Sequence, residues 1–99
     1  MKIIFASDSL GLVETEDAGE TRLPASVINS ARRKLTVLRA ASDGRSLQNW
    51  KSLRHEVVLG AQQDGQRSIR LNEQYRMVFQ INEQHEPPTT TIIAIEDCR

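Results

Sequence analysis

The sequence has little cysteine, few aromatic residues and no long apolar run, and each shortage narrows its possible roles. A single cysteine, Cys98, excludes an internal disulfide and a thiolate cluster for zinc. No apolar run approaches the ~18 residues that a membrane-spanning helix needs, and acidic residues follow residues 1–5 too soon for a signal peptide. Four scattered aromatic residues are too few for a base-stacking sheet. We therefore expect a cytoplasmic protein that does not bind membranes.

Length and charge distribution indicate one domain, residues 1–99, with a basic middle. A chain of 99 residues should bury about 60–65% of its unfolded surface. The net charge of zero hides an asymmetry, because the first twenty residues hold five acidic residues and one lysine. Residues 22–76 instead hold eleven basic and four acidic residues, a local excess of seven positive charges. Such an excess favours a nucleic-acid partner, although the acidic N-terminal stretch could also lie against the chain's own basic surface.

The apolar pattern predicts an α+β domain. Residues 24–41 have helical period and begin with Pro24, while shorter helical segments are expected after Ser7 and around Trp50. Strands are expected at residues 2–6, 57–59, 68–71, 76–81 and 90–95, with a loop at residues 60–65. This order predicts an antiparallel sheet of four or five strands, with the N-terminal helices packed on one face and the other face open.

The stretch of residues 65–79 gives the strongest indication of function. Apolar residues from Ile69 to Ile81 alternate with polar ones, and residues 72–75 form a plausible hairpin turn. The alternation places Arg70 and Arg76 together on the face opposite the core. Two neighbouring guanidinium groups are either solvated separately or bind a polyanion, because their forks match phosphate oxygens. The basic context favours the polyanion.

The hairpin resembles the signature of a known toxin family. Residues 68–76 are similar to the Ser-Ile-Arg, hydrophobic, Asn, acidic, Gln, aromatic, Arg signature of the HigB-like branch of the RelE/ParE toxin superfamily. The helical residues 31–35 and a final strand followed by Glu96, Asp97 and two more residues extend the likeness over nearly the whole chain. The resemblance implies a RelE-like fold with a concave basic face.

The resemblance also implies the toxin of a type II toxin–antitoxin pair. Such a toxin enters the ribosomal A site and cleaves messenger RNA as a metal-independent endoribonuclease that needs no cofactor. A cognate helix-turn-helix antitoxin of the HigA type neutralises it, and operator DNA is bound only through that antitoxin. Cleavage by the substrate's own 2′-hydroxyl requires a proton acceptor, cations around the phosphate and a donor for the leaving 5′ oxygen.

Several residues are candidates for this chemistry. Arg70 and Arg76 match the family's arginines and fit transition-state charge stabilisation. His55 is an imidazole that could reach the cleft, and an exposed or packed histidine without a catalytic task is an equal alternative. Tyr75 is a weaker donor candidate. The expected RNA contacts are Lys51, Arg54, Arg67, Arg70 and Arg76, with Arg67 at the edge of its strand.

Two departures from the family pattern keep alternatives open. The chain ends Asp97-Cys98-Arg99 where the family commonly ends in His, and Arg99 can hold a phosphate but cannot exchange a proton near neutral pH. The loop at residues 59–62 lacks the family's lysine. One alternative is an impaired toxin homologue that serves as antitoxin partner and co-repressor, and another is a ParE-like gyrase inhibitor. An unrelated basic sheet protein is a third.

Overall fold

The described part of the chain forms one sheet and one long helix. The computed structural model describes residues 1–42, 66–82, 84 and 86–97, and the backbone of residues 55–57. The elements are β1 (Lys2–Phe5), α1 (Asp8–Gly11), two 3₁₀ turns (Leu12–Glu14 and Ala18–Thr21), α2 (Ala25–Ala40), β2 (His55–Val57), β3 (Gln66–Arg70), β4 (Tyr75–Asn82) and β5 (Thr89–Asp97). The predicted α+β class is confirmed. The predicted helical turn at Trp50 and the loop at residues 60–65 lie outside the described residues.

The five strands form a sheet in the order β1-β5-β4-β3-β2. The pairs β2–β3, β3–β4 and β4–β5 are antiparallel, whereas β1 pairs with β5 in parallel. The sheet is therefore mixed, although the sequence pattern indicated only antiparallel pairs. Parallel neighbours need a long connection between them, and here all of the other elements lie between β1 and β5 in the chain.

Helix α2 forms because its apolar residues recur with helical period. Val27, Ala31, Leu35 and Leu38 are fully buried, and they share one side of the helix. Pro24 precedes the first turn with a φ of −58°, where its missing N–H costs nothing. The buried side belongs to the same core as the strand residues Ile69, Met77, Phe79 and Ile92. Each such side chain contributes about 1.5–3 kcal/mol by leaving water, so the core fixes the helix on one face of the sheet.

The C-terminal end of α2 is capped by the ammonium group of Met1. The Met1 nitrogen donates to the carbonyl oxygens of Leu38 at 3.2 Å and Arg39 at 3.0 Å, and also to that of Ala41. Carbonyls in the last turn of a helix have no partner within the helix, and a positive charge there is favoured by the helix dipole. The start of β1 is thereby attached to the end of α2.

The N-terminal segment lies against the basic side of α2. Arg32 donates from Nε to the Val13 carbonyl at 2.8 Å and from Nη2 to the Thr15 carbonyl at 2.9 Å. Both terminal nitrogens of Arg39 donate to the Glu14 carboxylate. This hydrogen bonding raises the pKa of Arg39 above its ordinary value. The expected contact between the acidic N-terminal stretch and the chain's own basic surface is observed for Glu14.

None of the helices in the described part of the chain has the length and apolar composition to cross a bilayer.

Candidate functional site

The site is built on the tight hairpin that joins β3 to β4. The side-chain oxygen of Asn72 accepts hydrogen bonds from the backbone N–H groups of Gln74 at 2.8 Å and Tyr75 at 2.7 Å. The N–H groups of Leu71 and Asn72 in turn donate to the Tyr75 carbonyl. Asparagine favours such turns because its side chain reproduces a backbone acceptor. The turn fixes the register of the two strands that follow from it.

That register places Arg70 directly opposite Arg76. Ile69 and Met77, the neighbouring pair, are fully buried on the helix side of the sheet, so the two arginines project from the other side. The Cβ atoms of directly opposed residues in an antiparallel pair lie roughly 4.5–5.5 Å apart. Side chains that start from Cβ atoms this close together are long enough for both guanidinium groups to reach the same phosphate. The structure thus brings together the two arginines that the sequence singled out.

A carboxylate extends this arginine pair into a row across three strands. Glu96 on β5 is the register partner of Arg76. Its Oε1 accepts a hydrogen bond from Arg76 Nε at 2.9 Å and forms an ion pair with Nη2 at 2.8 Å. We call Arg70, Arg76 and Glu96 the charged row. Because the Arg76 and Glu96 side chains are 40% and 43% exposed, their pair contributes about 0–1 kcal/mol to stability. The main effect of the pair is to neutralise part of the charge of Arg76 and to hold its guanidinium group toward β5.

Arg70 is the more accessible cation of the charged row. Its side chain is exposed, and its hydrogen bond from Nη1 to the Glu73 carbonyl oxygen is long, at 3.4 Å. A 3.4 Å contact is at the weak end of hydrogen bonding, so it holds the guanidinium loosely. Most of the five N–H donors of Arg70 are therefore available to an incoming anion within the part of the chain that the structure describes.

The sheet beside the charged row carries small or neutral residues. The next row across β3, β4 and β5 consists of Ser68, Val78 and Ala94. Further along, Gln80 pairs with Gln66 on one side and with Thr91 on the other. Ser68 and Val78 are both buried, so the sheet is covered at this row. The accessible part of this face is therefore the charged row, where a bound anion would meet the arginines.

Arg67 does not join the charged row. It pairs with Phe79 on β4 and Val57 on β2. Because it lies two residues before Ile69 on the same strand, alternation assigns it to the helix side of the sheet. The sequence expectation of an RNA contact from the strand edge is not supported by this placement. Arg67 is half-buried, and its contacts are within the protein.

The other predicted residues divide between the core and the part of the chain that is not described. Tyr75, the weaker donor candidate, packs against the core rather than beside the arginines. His55 begins β2, and its backbone pairs with that of Ile69. Lys51, Arg54 and Arg99 lie outside the described residues, so their roles stay predictions.

Elsewhere in the described ranges, the side chains form no metal cluster, and the cavity beside β5 has an uncharged lining. No group of three or more His, Cys, Asp or Glu side chains there could hold a metal ion. A cavity of about 140 Å³ lies between the N-terminal segment and β5, lined by Ser9, Leu10, Val13, Thr21, Leu23 and Ile95. Its lining carries no charged or titratable side chain, so it offers no acid–base chemistry.

Glu96 is the residue of this site that sequence reasoning missed. The apolar run suggested that the last strand ended at Ile95, which made Glu96 part of a tail. In the structure β5 continues to Asp97, and Glu96 alternates with the half-buried Ile95. The available signal was a carboxylate one residue beyond an apolar strand, where alternation places it on the opposite face.

Comparison with solved structures finds a similar protein, the YoeB/ParE toxin from Agrobacterium tumefaciens. The likeness covers 100% of both chains with a TM-score of 0.64 and 15% sequence identity. This chain has that fold. At this identity the likeness concerns architecture and assigns no residue a role. The RelE-like architecture expected from the hairpin signature is confirmed, and the HigB-like branch stays a prediction. No family model matches the sequence, and no curated protein matches it.

Proposed function

We propose that this protein is the toxin of a type II toxin–antitoxin system and that it cleaves messenger RNA on the ribosome, without a metal ion or cofactor. The observation that carries the proposal is the direct pairing of Arg70 with Arg76 on the open face of the sheet. The fold shared with a YoeB/ParE toxin supports the toxin class. The HigB-like hairpin signature favours RNA cleavage over gyrase inhibition.

In the proposed reaction the arginines act on the scissile phosphate. Attack of a 2′-hydroxyl on the adjacent phosphorus builds negative charge on the non-bridging oxygens. Arg70 and Arg76 are permanently protonated and can donate to both of these oxygens from neighbouring strands. Fixed donors aimed at developing charge contribute about 2.7–4 kcal/mol each to the transition state, because they need no reorganisation during the reaction.

The remaining predicted residues complete this proposal. Arg99 holds a phosphate, while Lys51 and Arg54 bind the RNA backbone. The leaving 5′ oxygen takes its proton from water, because β2 pairs His55 with Ile69 on the core side rather than with the charged row. The cognate partner is a helix-turn-helix antitoxin of the HigA type, which covers the arginine pair with acidic residues and carries the toxin to operator DNA. The toxin acts in the cytoplasm, where its other partners are the ribosome and messenger RNA.

A second candidate has specific support. The ion pair with Glu96 partly neutralises Arg76, and Arg99 stands where the family commonly has a histidine. Both features weaken phosphate chemistry. They favour a toxin homologue that has lost cleavage and serves as the antitoxin's partner and co-repressor. A ParE-like gyrase inhibitor is the third possibility on the same fold.

Two assays on the purified, folded chain separate these functions. One measures messenger RNA cleavage on translating ribosomes, and the other measures DNA supercoiling by gyrase. We expect cleavage on ribosomes and unchanged supercoiling. Inhibited supercoiling without RNA cleavage would assign the chain to the gyrase inhibitors. Neither activity, combined with tight binding to the antitoxin, would leave the co-repressor role.

A further inference from the structure

The charged row contains a carboxylate whose function the arginines do not explain. We propose that Glu96 is the proton acceptor of the reaction, taking the proton from the attacking 2′-hydroxyl while Arg70 and Arg76 hold the phosphate. This proposal rests on the nuclease function proposed above. It names a catalytic residue on β5 that neither the hairpin signature nor the similar structure supplies.

The orientation of Glu96 is fixed by one of its two oxygens. Oε1 accepts a hydrogen bond from Arg76 Nε at 2.9 Å and forms an ion pair with Nη2 at 2.8 Å. Oε2 has no hydrogen-bond partner among the described residues, and 43% of the side chain is exposed. A carboxylate oxygen has lone pairs for an additional donor. Arg76 thus anchors the carboxylate through one oxygen and leaves the other accessible from the open face.

The position of Glu96 in the sheet suits an acceptor beside the phosphate. Neighbouring strands lie about 4.7–4.9 Å apart, so Arg70, Arg76 and Glu96 occupy three successive steps across the open face. A phosphate bound between the two arginines lies at one end of this row. The ribose that carries the attacking hydroxyl then lies over β5, within reach of Oε2.

No other described group of the row can accept a proton. Arg70 and Arg76 remain protonated at all physiological pH values. Tyr75 packs against the core. Asp97 is the register partner of Tyr75, one residue beyond Glu96, and accepts from Gln74 Nε2 at 2.9 Å. Glu96 is therefore the carboxylate on the face and in the row that the arginines occupy.

The proposed step balances without a further reactant except water. The 2′-hydroxyl proton moves to Glu96 Oε2 as the bond from the 2′ oxygen to phosphorus forms. The bond from phosphorus to the 5′ oxygen breaks, and that oxygen leaves with the electron pair and is protonated by water. The products are a 2′,3′-cyclic phosphate and a 5′-hydroxyl. Glu96 then releases its proton to solvent.

A different role for Glu96 makes the opposite prediction. If the carboxylate only neutralises Arg76, removing its charge should strengthen phosphate binding and leave cleavage equal or faster. The variant Glu96→Gln separates the two roles, because the amide oxygen can still accept from Arg76 while the side chain can no longer take a proton. Its size is unchanged, and the half-exposed position makes misfolding a minor concern.

The test measures single-turnover messenger RNA cleavage on translating ribosomes together with ribosome affinity. A positioned general base contributes about 10²–10⁴-fold, so we expect Glu96→Gln to lose cleavage by that factor while its affinity is equal or higher. Cleavage by Glu96→Gln at the wild-type rate overturns the proposal. An inactive but folded wild-type chain overturns the nuclease function as well, so the two failures are distinguishable.

Chemical rescue gives an independent readout. In Glu96→Ala the carboxylate is missing, and added formate should restore part of the cleavage by accepting the proton in its place. Formate should not rescue Arg76→Ala, because that variant lacks a cation rather than a base. Failure of formate to raise the rate of Glu96→Ala, with Glu96→Gln also active, contradicts a proton-accepting role.

Discussion

The hydrogen bond from Ser30 to the hairpin gives the sharpest test of how α2 supports the site. Ser30 Oγ donates to the Leu71 carbonyl at 2.8 Å, and the Ser30 side chain is buried. Leu71 directly follows Arg70, so this bond fastens the first residue after β3 to the middle of the long helix. The change Ser30→Ala removes the donor and leaves the buried carbonyl without it.

The expected magnitude follows from two opposing terms. A buried carbonyl without its donor costs about 1–3 kcal/mol, whereas alanine in place of serine in a helix contributes up to about 0.5 kcal/mol. We expect Ser30→Ala to lower the free energy of unfolding by about 1–2 kcal/mol. For a domain of this size each 1 kcal/mol lowers the melting temperature by roughly 4–8 °C.

Urea denaturation measures this change, and Ser26→Ala is the matched control. Ser26 lies on the same helix and is exposed, so its replacement has only the propensity effect. The difference between the two variants isolates the buried bond. Equal stabilities of Ser30→Ala and Ser26→Ala would refute the claim that α2 holds the hairpin through Ser30.

Three further predictions concern the N-terminal contacts. Glu14→Gln should lower the free energy of unfolding by less than about 1 kcal/mol in low salt and by less still in high salt, as denaturation at two ionic strengths will show. Folding raises the pKa of Arg39, so the stability gained from its positive charge is complete below the ordinary arginine pKa. That stability is lost only as the pH rises through the raised pKa of the folded chain. Titration of Arg39 should therefore leave the free energy of unfolding unchanged between about pH 6 and 9. Adding residues before Met1 replaces its ammonium group, which has three donors, by an amide with one. Thermal unfolding should show a free energy of unfolding that is lower by about 1–2 kcal/mol than after an equal extension following Arg99.

Local patterns in the sequence were sufficient for α2 and for the hairpin. Four apolar residues at helical spacing fixed the buried side of α2, and Asn72 at the turn fixed the register that opposes Arg70 to Arg76. Both features depend on residues that are close in the chain. Period and turn chemistry therefore predicted them without knowledge of the rest of the fold.

Long-range pairings could not be read in the same way. The parallel pair of β1 with β5 joins residues nearly ninety positions apart, and nothing in either strand specifies the direction of its partner. The Arg76–Glu96 pair depends on the register of β4 against β5, which includes a bulge at Val78 and Phe79. The charge count also overestimated the positive charge that the surface offers to a partner, because Arg32, Arg39 and Arg76 bind groups of the chain itself.

The most direct test of the central claim is the rate of messenger RNA cleavage on translating ribosomes by Arg70→Ala, Arg76→Ala and the double variant, with Arg33→Ala on the exposed side of α2 as the control. We expect each single change to lower the rate by about 10²–10³-fold and Arg33→Ala to leave it unchanged. Because both arginines hold one phosphate, the double variant should lose less than the product of the single losses. Cleavage at the wild-type rate by folded Arg70→Ala and Arg76→Ala would contradict the proposal that this arginine pair is the catalytic site.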